Sequence, residues 1–333
     1  MTDINLTGTE TGRFICTKEN KSNEPKLSPT NLPFPEVIDA TMMRDFRSCE
    51  HKFFLGRMLG LQPVAPSIHL HAGKVFARGM EVFRLAFYGE KPDFNYAMGR
   101  SLVAMIREWG DMDIWEDHNK SLWNIILGVR ASFLEYPPAM DYIKPWMGKD
   151  GKTPAVEFNF VVPIPGTRHP VTGNPLLYTG RFDMLADYQK LLYIEDDKTA
   201  SALGASWTRQ WLLRSQFIGY AWGAKEYGLP VAGAIIRGTA FLKTKFTFLQ
   251  VIQQISQWEI DRWLEQTRQD LLRMERCWES GVFGFNLDES CAHYGGCTYL
   301  NLCTKPNPEN WIEPDYKVDF WKPLEQTKAE LKK

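Results

Sequence analysis

The chain has 333 residues, 44% apolar and 24% charged, with 13% aromatic residues that include 12 Trp. That composition excludes a small stapled scaffold and disorder of the whole chain, and it allows one embellished domain or two modest ones. Lys and Arg number 39 against 40 Asp and Glu, a net charge of -1, so no global field draws in nucleic acid and a polyanion partner needs a local basic surface. Six Cys are too few for a disulfide scaffold, the opening MTDINLTGTETGR lacks the charged start and apolar run of a secretory signal, and no window offers the ~18 apolar residues of a membrane span. A soluble protein of a reducing compartment, the cytoplasm, is expected.

Residues 1–39 are rich in Thr, Asn, Ser, Glu and Pro without a sustained period, and read as a partly disordered arm. Residues 40–60 place Met43, Phe46, Phe53, Phe54 and Met58 at helical spacing, which predicts a short helix carrying Cys49. Residues 69–88 have Val75, Phe76, Met80, Phe83 and Phe87 on one side, with Arg78, Glu81 and Arg84 among the polar positions of a second helix. Helical patterns continue over 93–110 and 118–136, a helical insertion of about 92–150, until YPPAM and PWMGKDGKTP break it. From 155 to 199 the runs AVEFNFVVPI, LLYTGRFDMLADY and KLLYIEDDKTA predict an antiparallel meander. A helix over 207–228, a strand pair in AGAIIRGTAFLK and KFTFLQVIQQI, and a long amphipathic helix over 256–280 follow. The tail after it is loop-rich and holds three of the six Cys. No internal repeat is visible.

Asp183 in GRFDML and the run Glu195-Asp196-Asp197-Lys198 lie at the ends of adjacent predicted strands, so hairpin pairing brings Asp183 near Asp196. Carboxylates side by side in a half-buried site need a cation to neutralise them, and oxygen donors suit Mg²⁺ or Mn²⁺. Strand alternation puts Asp196 and Lys198 on one face, while Asp197 points away and lends its backbone carbonyl. A metal-bound water meeting an ammonium suits phosphodiester hydrolysis. Taken singly, each acid also reads as a solvated turn residue, and Gln216 with Tyr220, one helical turn apart, as an ordinary helix face.

In order and interval these residues resemble the PD-(D/E)XK nucleases, and within them the RecB-like branch that includes phage and CRISPR-associated exonucleases. Asp183 in GRFD is similar to the family's second motif, Asp196-Asp197-Lys198 to its D-x-K third motif, and Gln216-x-x-x-Tyr220 to the helical Q-x-x-x-Y motif of that branch. Upstream the family carries a glycine, a metal-binding His four residues on, and commonly a Glu four further. Here these are Gly73, Ala77 and Glu81. With Ala in place of the His, either Glu81 supplies the first-motif carboxylate, or His69 or His71 reaches in from the helix start. The resemblance spans 41–303 and implies a mixed α/β (α+β) restriction-endonuclease-like core with an antiparallel-led sheet, an N-terminal helical section and a cysteine-bearing C-terminal tail. It also implies Mg²⁺ or Mn²⁺ on Asp183, Asp196, Asp197 and Glu81, with Lys198, Gln216 and Tyr220 in the catalytic site. The domain is expected to run over 40–304, with 305–333 as a tail.

Cys291, Cys297 and Cys303 fall at two equal six-residue steps, and Cys49 is the fourth candidate. Four thiolates suit Zn²⁺ or an iron-sulfur cluster, and the lack of a C-x-x-C knuckle favours the cluster. One N-terminal and three C-terminal Cys also resemble the four-iron (4Fe-4S) staple of some RecB-like nucleases, although the family often has C-x-x-C within the triplet. His293 lies inside the triplet and His51 beside Cys49 as lesser candidates, Cys16 and Cys277 have no motif, and His118 and His169 read as surface residues.

Between residues 40 and 90 there are 7 Lys and Arg against 4 acids, a modest basic surface for phosphates. Arg237, Lys243 and Lys245 are candidates to line the same groove, and Trp207, Trp211 and Tyr220 to stack on unpaired bases or to sit in the core. The expected function is a metal-dependent DNA exonuclease of phage or bacterial type, in the host cell cytoplasm if phage-encoded. Its substrates are expected to be single-stranded DNA or DNA ends, its partners recombination or replication proteins, and no membrane is involved. A binding module that has lost turnover is the alternative favoured by Ala77, and a zinc-ribbon regulator is a third reading.

Overall fold

The computed structural model describes residues 5–8, 14–17, 32–65, 67–112, 118–243, 245–292 and 296–323. In chain order the elements begin with β1 (Asn5–Gly8), β2 (Phe14–Thr17), β3 (Val37–Asp39), α1 (Ala40–Ser48), α2 (Glu50–Phe53), β4 (Leu61–Pro63), α3 (Ile68–Arg84), α4 (Phe94–Trp109) and α5 (Leu122–Glu135). The sheet strands follow as β5 (Lys144–Pro145), β6 (Val156–Pro163), β7 (Leu177–Tyr188) and β8 (Leu191–Ala200), then α6 (Ala205–Arg209), α7 (Ser215–Glu226), β9 (Val231–Phe241) and β10 (Phe246–Gln254). The chain continues through α8 (Gln257–Ser280), α9 (Glu289–Ala292), α10 (Leu300–Thr304), α11 (Ile312–Asp315) and β11 (Tyr316–Val318). Among the described residues no helix is long and apolar enough to cross a membrane.

The chain divides into two compact units, one of Met1–Ala65, Val161–Thr179 and Leu264–Lys333, the other of Pro66–Phe160 and Gly180–Trp263. In the second unit the strands run in the order β10-β9-β8-β7, with β5 and β6 also on β7. β7 and β8 are antiparallel, β8 and β9 parallel, and β9 and β10 antiparallel. The sheet is mixed, and the meander and the later strand pair lie where the alternation of apolar residues puts them. Helices α3, α4 and α5 bury Val75, Phe76, Phe83, Met105 and Val129 in one apolar cluster, in which Phe83 stacks on Phe133 with ring centroids 3.6 Å apart. Each such side chain contributes about 1.5–3 kcal/mol by leaving water.

In the first unit Asp39 caps α1 by accepting from the Met42 N–H at 2.7 Å, and its other oxygen accepts from Trp321 at 2.5 Å. Asp45 on α1 pairs with Arg57 at 2.6 Å and Lys52 at 2.9 Å. β11 runs antiparallel to β4, so the tail past 304 returns to the segment after α2. β1 and β2 form a hairpin and β3 runs parallel to the start of β7, all within the stretch that composition alone marks as an arm.

Two helix expectations need correction. Cys49 is not inside a helix but at the extended junction of α1 and α2, with φ -164° and ψ 120°. The helix expected over 207–228 is broken between α6 and α7, where Leu213 adopts a positive φ of 53°. Within α6 the Trp207 ring packs on Gly238 of β9, where a Cβ would lie 2.4 Å from it.

Helix α7 meets the sheet through glycines. A Cβ on Gly223 would stand 2.2 Å from the Phe160 ring, and one on Gly180 would meet both Phe160 and Tyr220 at 2.5 Å. Phe160 is fully buried and has no room to give. Gly223→Ala should therefore lower stability by about 1–3 kcal/mol through overpacking, read as a reduced denaturation midpoint at unchanged slope.

Candidate active site

The β7–β8 ladder runs from Tyr188↔Leu191 to Met184↔Glu195, and the next opposed residues are Asp183 and Asp196. There the pairing changes character, because Asp183 Oδ2 accepts the Asp197 backbone N–H at 2.9 Å. Asp196 is almost wholly buried and is ion-paired with Lys198, which leaves 31% of its side chain exposed and so marks the open side of the site. Tyr220 on α7 senses the charges of Asp196, Lys198 and Asp183, and accepts from Gln216 Nε2 at 3.3 Å. Asp183, Asp196, Lys198, Gln216 and Tyr220, distant in sequence, are thus brought together.

The alternate residues of β8 face the other way. Arg84, at the end of α3, is buried and places Nη2 2.8 Å from Glu195 Oε1 and Nη1 2.7 Å from Asp197 Oδ2. Arg237, which pairs in register with Asp197, forks onto Asp141 at 2.7 and 3.0 Å, donates from Nε to Gln250 Oε1 at 3.0 Å and lies 4.2 Å from the Tyr136 ring. Neither arginine was expected here. The available signal was position: Arg84 falls four residues after Met80 and three before Phe87, inside the apolar stripe of its helix, and Arg237 interrupts the run AIIRGTAF. A charge in an apolar stripe calls for a buried counter-ion.

Five acids (Asp141, Asp183, Glu195, Asp196, Asp197) face three cations (Arg84, Lys198, Arg237), so two negative charges are left over. Burial, only partly offset by Arg84, pushes the Glu195 carboxyl up to about 8, and burial against Lys198 pushes Asp196 up to about 7. Burial also raises Asp197. Burial alone would lower the Lys198 ammonium, but Asp196 and Asp183 hold it above its ordinary range. The unbalanced oxygens suit a hard divalent ion. Among the described residues no three His, Cys, Asp or Glu side chains stand as a ready-made ligand set. Glu81 is held by Arg78 at 2.5 Å, and His71 is turned to the Trp109 carbonyl at 3.1 Å.

A sequence model of the PD-(D/E)XK nuclease superfamily matches residues 40–304. The chain belongs to the PD-(D/E)XK nuclease superfamily. Membership implies phosphodiester hydrolysis, with nucleic acid as the substrate. Two solved structures are similar: a candidate exonuclease of Eubacterium rectale, at 12% identity over 78% of this chain and 88% of that one with a TM-score of 0.49, and the protein SSO0001, at 10% identity over 70% and 84% with a TM-score of 0.30. No curated protein matches the sequence significantly.

Several expected DNA contacts of the nuclease are otherwise engaged. Trp207, Trp211 and Tyr220 are buried, and Arg237 is locked in the ion network. Of the seven basic residues between 40 and 90, Arg47, Lys52, Arg57, Lys74, Arg78 and Arg84 are each ion-paired. Lys243 and Lys245 are exposed at the β9–β10 turn. His169 is buried against the Phe34 carbonyl rather than at the surface, while His118 is exposed.

In the first unit, Cys49, Cys291, Cys297 and Cys303 all line one cavity of about 110 Å³ with Leu55 and Phe285. The Asn286 N–H points at Cys49 Sγ from 3.4 Å. Burial, and then the neighbouring Cys297, Cys49 and Cys291, push the Cys303 thiol up to about 12. His51 stacks on Phe285 at 4.3 Å, and burial drops it to about 4. Cys277 instead meets Glu50 at 3.4 Å, and His293 and the Cys16 side chain lie outside the described residues.

The charge excess has a measurable sign. Glu195 and Asp196 bind protons more tightly folded than unfolded, so the metal-free protein should lose stability as pH rises from the ordinary carboxylate range through about 8. Thermal melts in chelator should show that loss. Saturating Mn²⁺ should remove the part due to Asp196, leave the part due to Glu195, and stabilise the fold by about 2.7 kcal/mol at one hundred times the dissociation constant.

Proposed function

We propose that the nuclease is a Mg²⁺- or Mn²⁺-dependent DNA exonuclease, acting on single strands or DNA ends in recombination or DNA processing beside recombination or replication proteins. The observation that carries this reading is that the motif carboxylates Asp183 and Asp196 share a single cation, the partly exposed Lys198. In it Asp183, Asp196 and the Asp197 carbonyl hold the ion, and Glu81 joins from α3 by exchanging Arg78 for it. A divalent ion supplies a water of lowered pKa and neutralises phosphate charge. Asp196 keeps Lys198 protonated and in place, so the ammonium donates to phosphate oxygen as charge develops there. Burial holds the Tyr220 hydroxyl protonated, so Tyr220 and Gln216 position Lys198 or the DNA backbone and move no proton.

The same proposal puts a four-iron cluster, with zinc as the alternative, on Cys49, Cys291, Cys297 and Cys303. Four thiols around one cavity and a backbone N–H directed at a sulfur support it. Its role is structural. Cys49 and Cys291 lie more than 240 residues apart, and metal-ligand bonds between them offset a large loop-closure entropy.

Asp183→Ala and Lys198→Ala should each abolish cleavage of end-labelled linear DNA, a loss of ~100-fold or more for one preorganised donor. Only Asp183→Ala should weaken Mn²⁺ binding by calorimetry, and DNA affinity without divalent metal should survive in both. Wild-type cleavage by Lys198→Ala would move the binding-module reading ahead. Cys49→Ala, after anaerobic purification, should lose iron and solubility together. Zinc in the wild type, or undiminished iron in the variant, contradicts the cluster.

A further inference from the structure

We propose that Arg84 is a positioning residue for the reaction: clamped on Glu195 and Asp197 behind β8, it fixes the backbone that presents Asp196 and Lys198 on the other face. The inference rests on the nuclease reading and adds to it a residue outside the motifs. Arg84 touches neither Asp183, Asp196 nor Lys198; its two contacts go to the side chains of Glu195 and Asp197, which alternate with Asp196 and Lys198 along the strand, and it meets the proposed ligand Asp197 at its carboxylate and not at its carbonyl. Those contacts bracket Asp196 on both sides. The second also fixes Asp197, whose backbone N–H donates to Asp183 at 2.9 Å. One planar guanidinium therefore sets the side chain of Asp197 on one face of the sheet and, through the same residue, the place of Asp183 on the proposed metal.

The neighbours argue for a fork rather than a charge alone. Glu195 Oε1 is shared by Arg84 at 2.8 Å and Arg237 at 3.9 Å, while its Oε2 is buried without a hydrogen-bond partner. Arg237 is committed to Asp141, so it does not take over both acids if Arg84 is lost. A lysine brings the same charge as a compact point without the planar fork and spans two carboxylates poorly. Displacement of catalytic groups by about 1 Å costs roughly 100-fold in rate.

The test compares wild type, Arg84→Lys, and a triple variant Arg84→Met/Glu195→Gln/Asp197→Asn that removes the buried charges together. Thermal melting, single-turnover Mn²⁺-dependent cleavage and metal-free DNA affinity are read on each purified full-length protein. Both variants should bind DNA as the wild type does and cleave 10- to 100-fold more slowly. The triple variant should melt close to the wild type while staying slow, because neutral side chains restore burial without restoring the clamp. A folded variant of either kind with wild-type single-turnover rates overturns the inference, and recovery of rate along with melting temperature in the triple variant assigns Arg84 a merely structural role. A wild-type protein that binds Mn²⁺ and cleaves nothing strikes the nuclease reading itself, and the inference falls with it.

Discussion

Arg84 lies buried between Glu195 and Asp197, and the electrostatics of the nuclease unit follow from that contact. Removing five carboxylates from water is costly unless each finds a counter-ion. A guanidinium behind β8 can serve only the acids on its own face, and Arg237 is divided between Asp141 and a distant edge of Glu195. With every group ionised each face is one cation short, and on the open one Asp183 and Asp196 have only Lys198 and one backbone N–H between them. The closed face is shut off by burial, so the open face, where Lys198 is partly exposed, is the one that can take a cation from solvent. A hard divalent cation is the partner such a face is short of.

The apolar packing supports the same geometry. Phe160 and Phe182 seat the Tyr220 ring, at centroid distances of 5.9 and 5.3 Å, so the side chain from α7 rests on a hydrophobic floor. Glycines at 180 and 223 let strand and helix close on that floor. In the other unit a different closure operates. Four cysteines, one from the α1–α2 junction and three from the C-terminal region, line one cavity, and β11 pairs with β4, so the C-terminal region is held to the segment after α2 by backbone pairing.

Much of this was legible because the informative features are local. The alternation of β7 and β8 is written in adjacent residues and places Asp183, Asp196 and Lys198 near one another, whereas Gln216 and Tyr220, one helical turn apart, were expected beside them only through the resemblance to the RecB-like motif. Arg84 and Arg237 escaped because their partners are remote: Glu195 lies 111 residues from Arg84, and Asp141 lies 96 from Arg237. Amphipathic counting assigned Arg84 to a polar face, and only its position in the apolar stripe betrays it. The break before α7 was hidden because nothing in the residues around Leu213 announces its positive φ. The extended backbone at Cys49 was likewise invisible, because nothing in FRSCEHKFF forbids a helix.

The central claim is that the negative excess on the open face of β8 is a site for a divalent metal. Anomalous diffraction from crystals soaked in Mn²⁺ tests it most directly. A manganese peak is expected ~2.1 Å from carboxylate oxygens of both Asp183 and Asp196, a distance usual for small octahedral divalent ions. A fully occupied manganese site elsewhere, with those two carboxylates left as they stand against Lys198 and the Asp197 N–H, would contradict it.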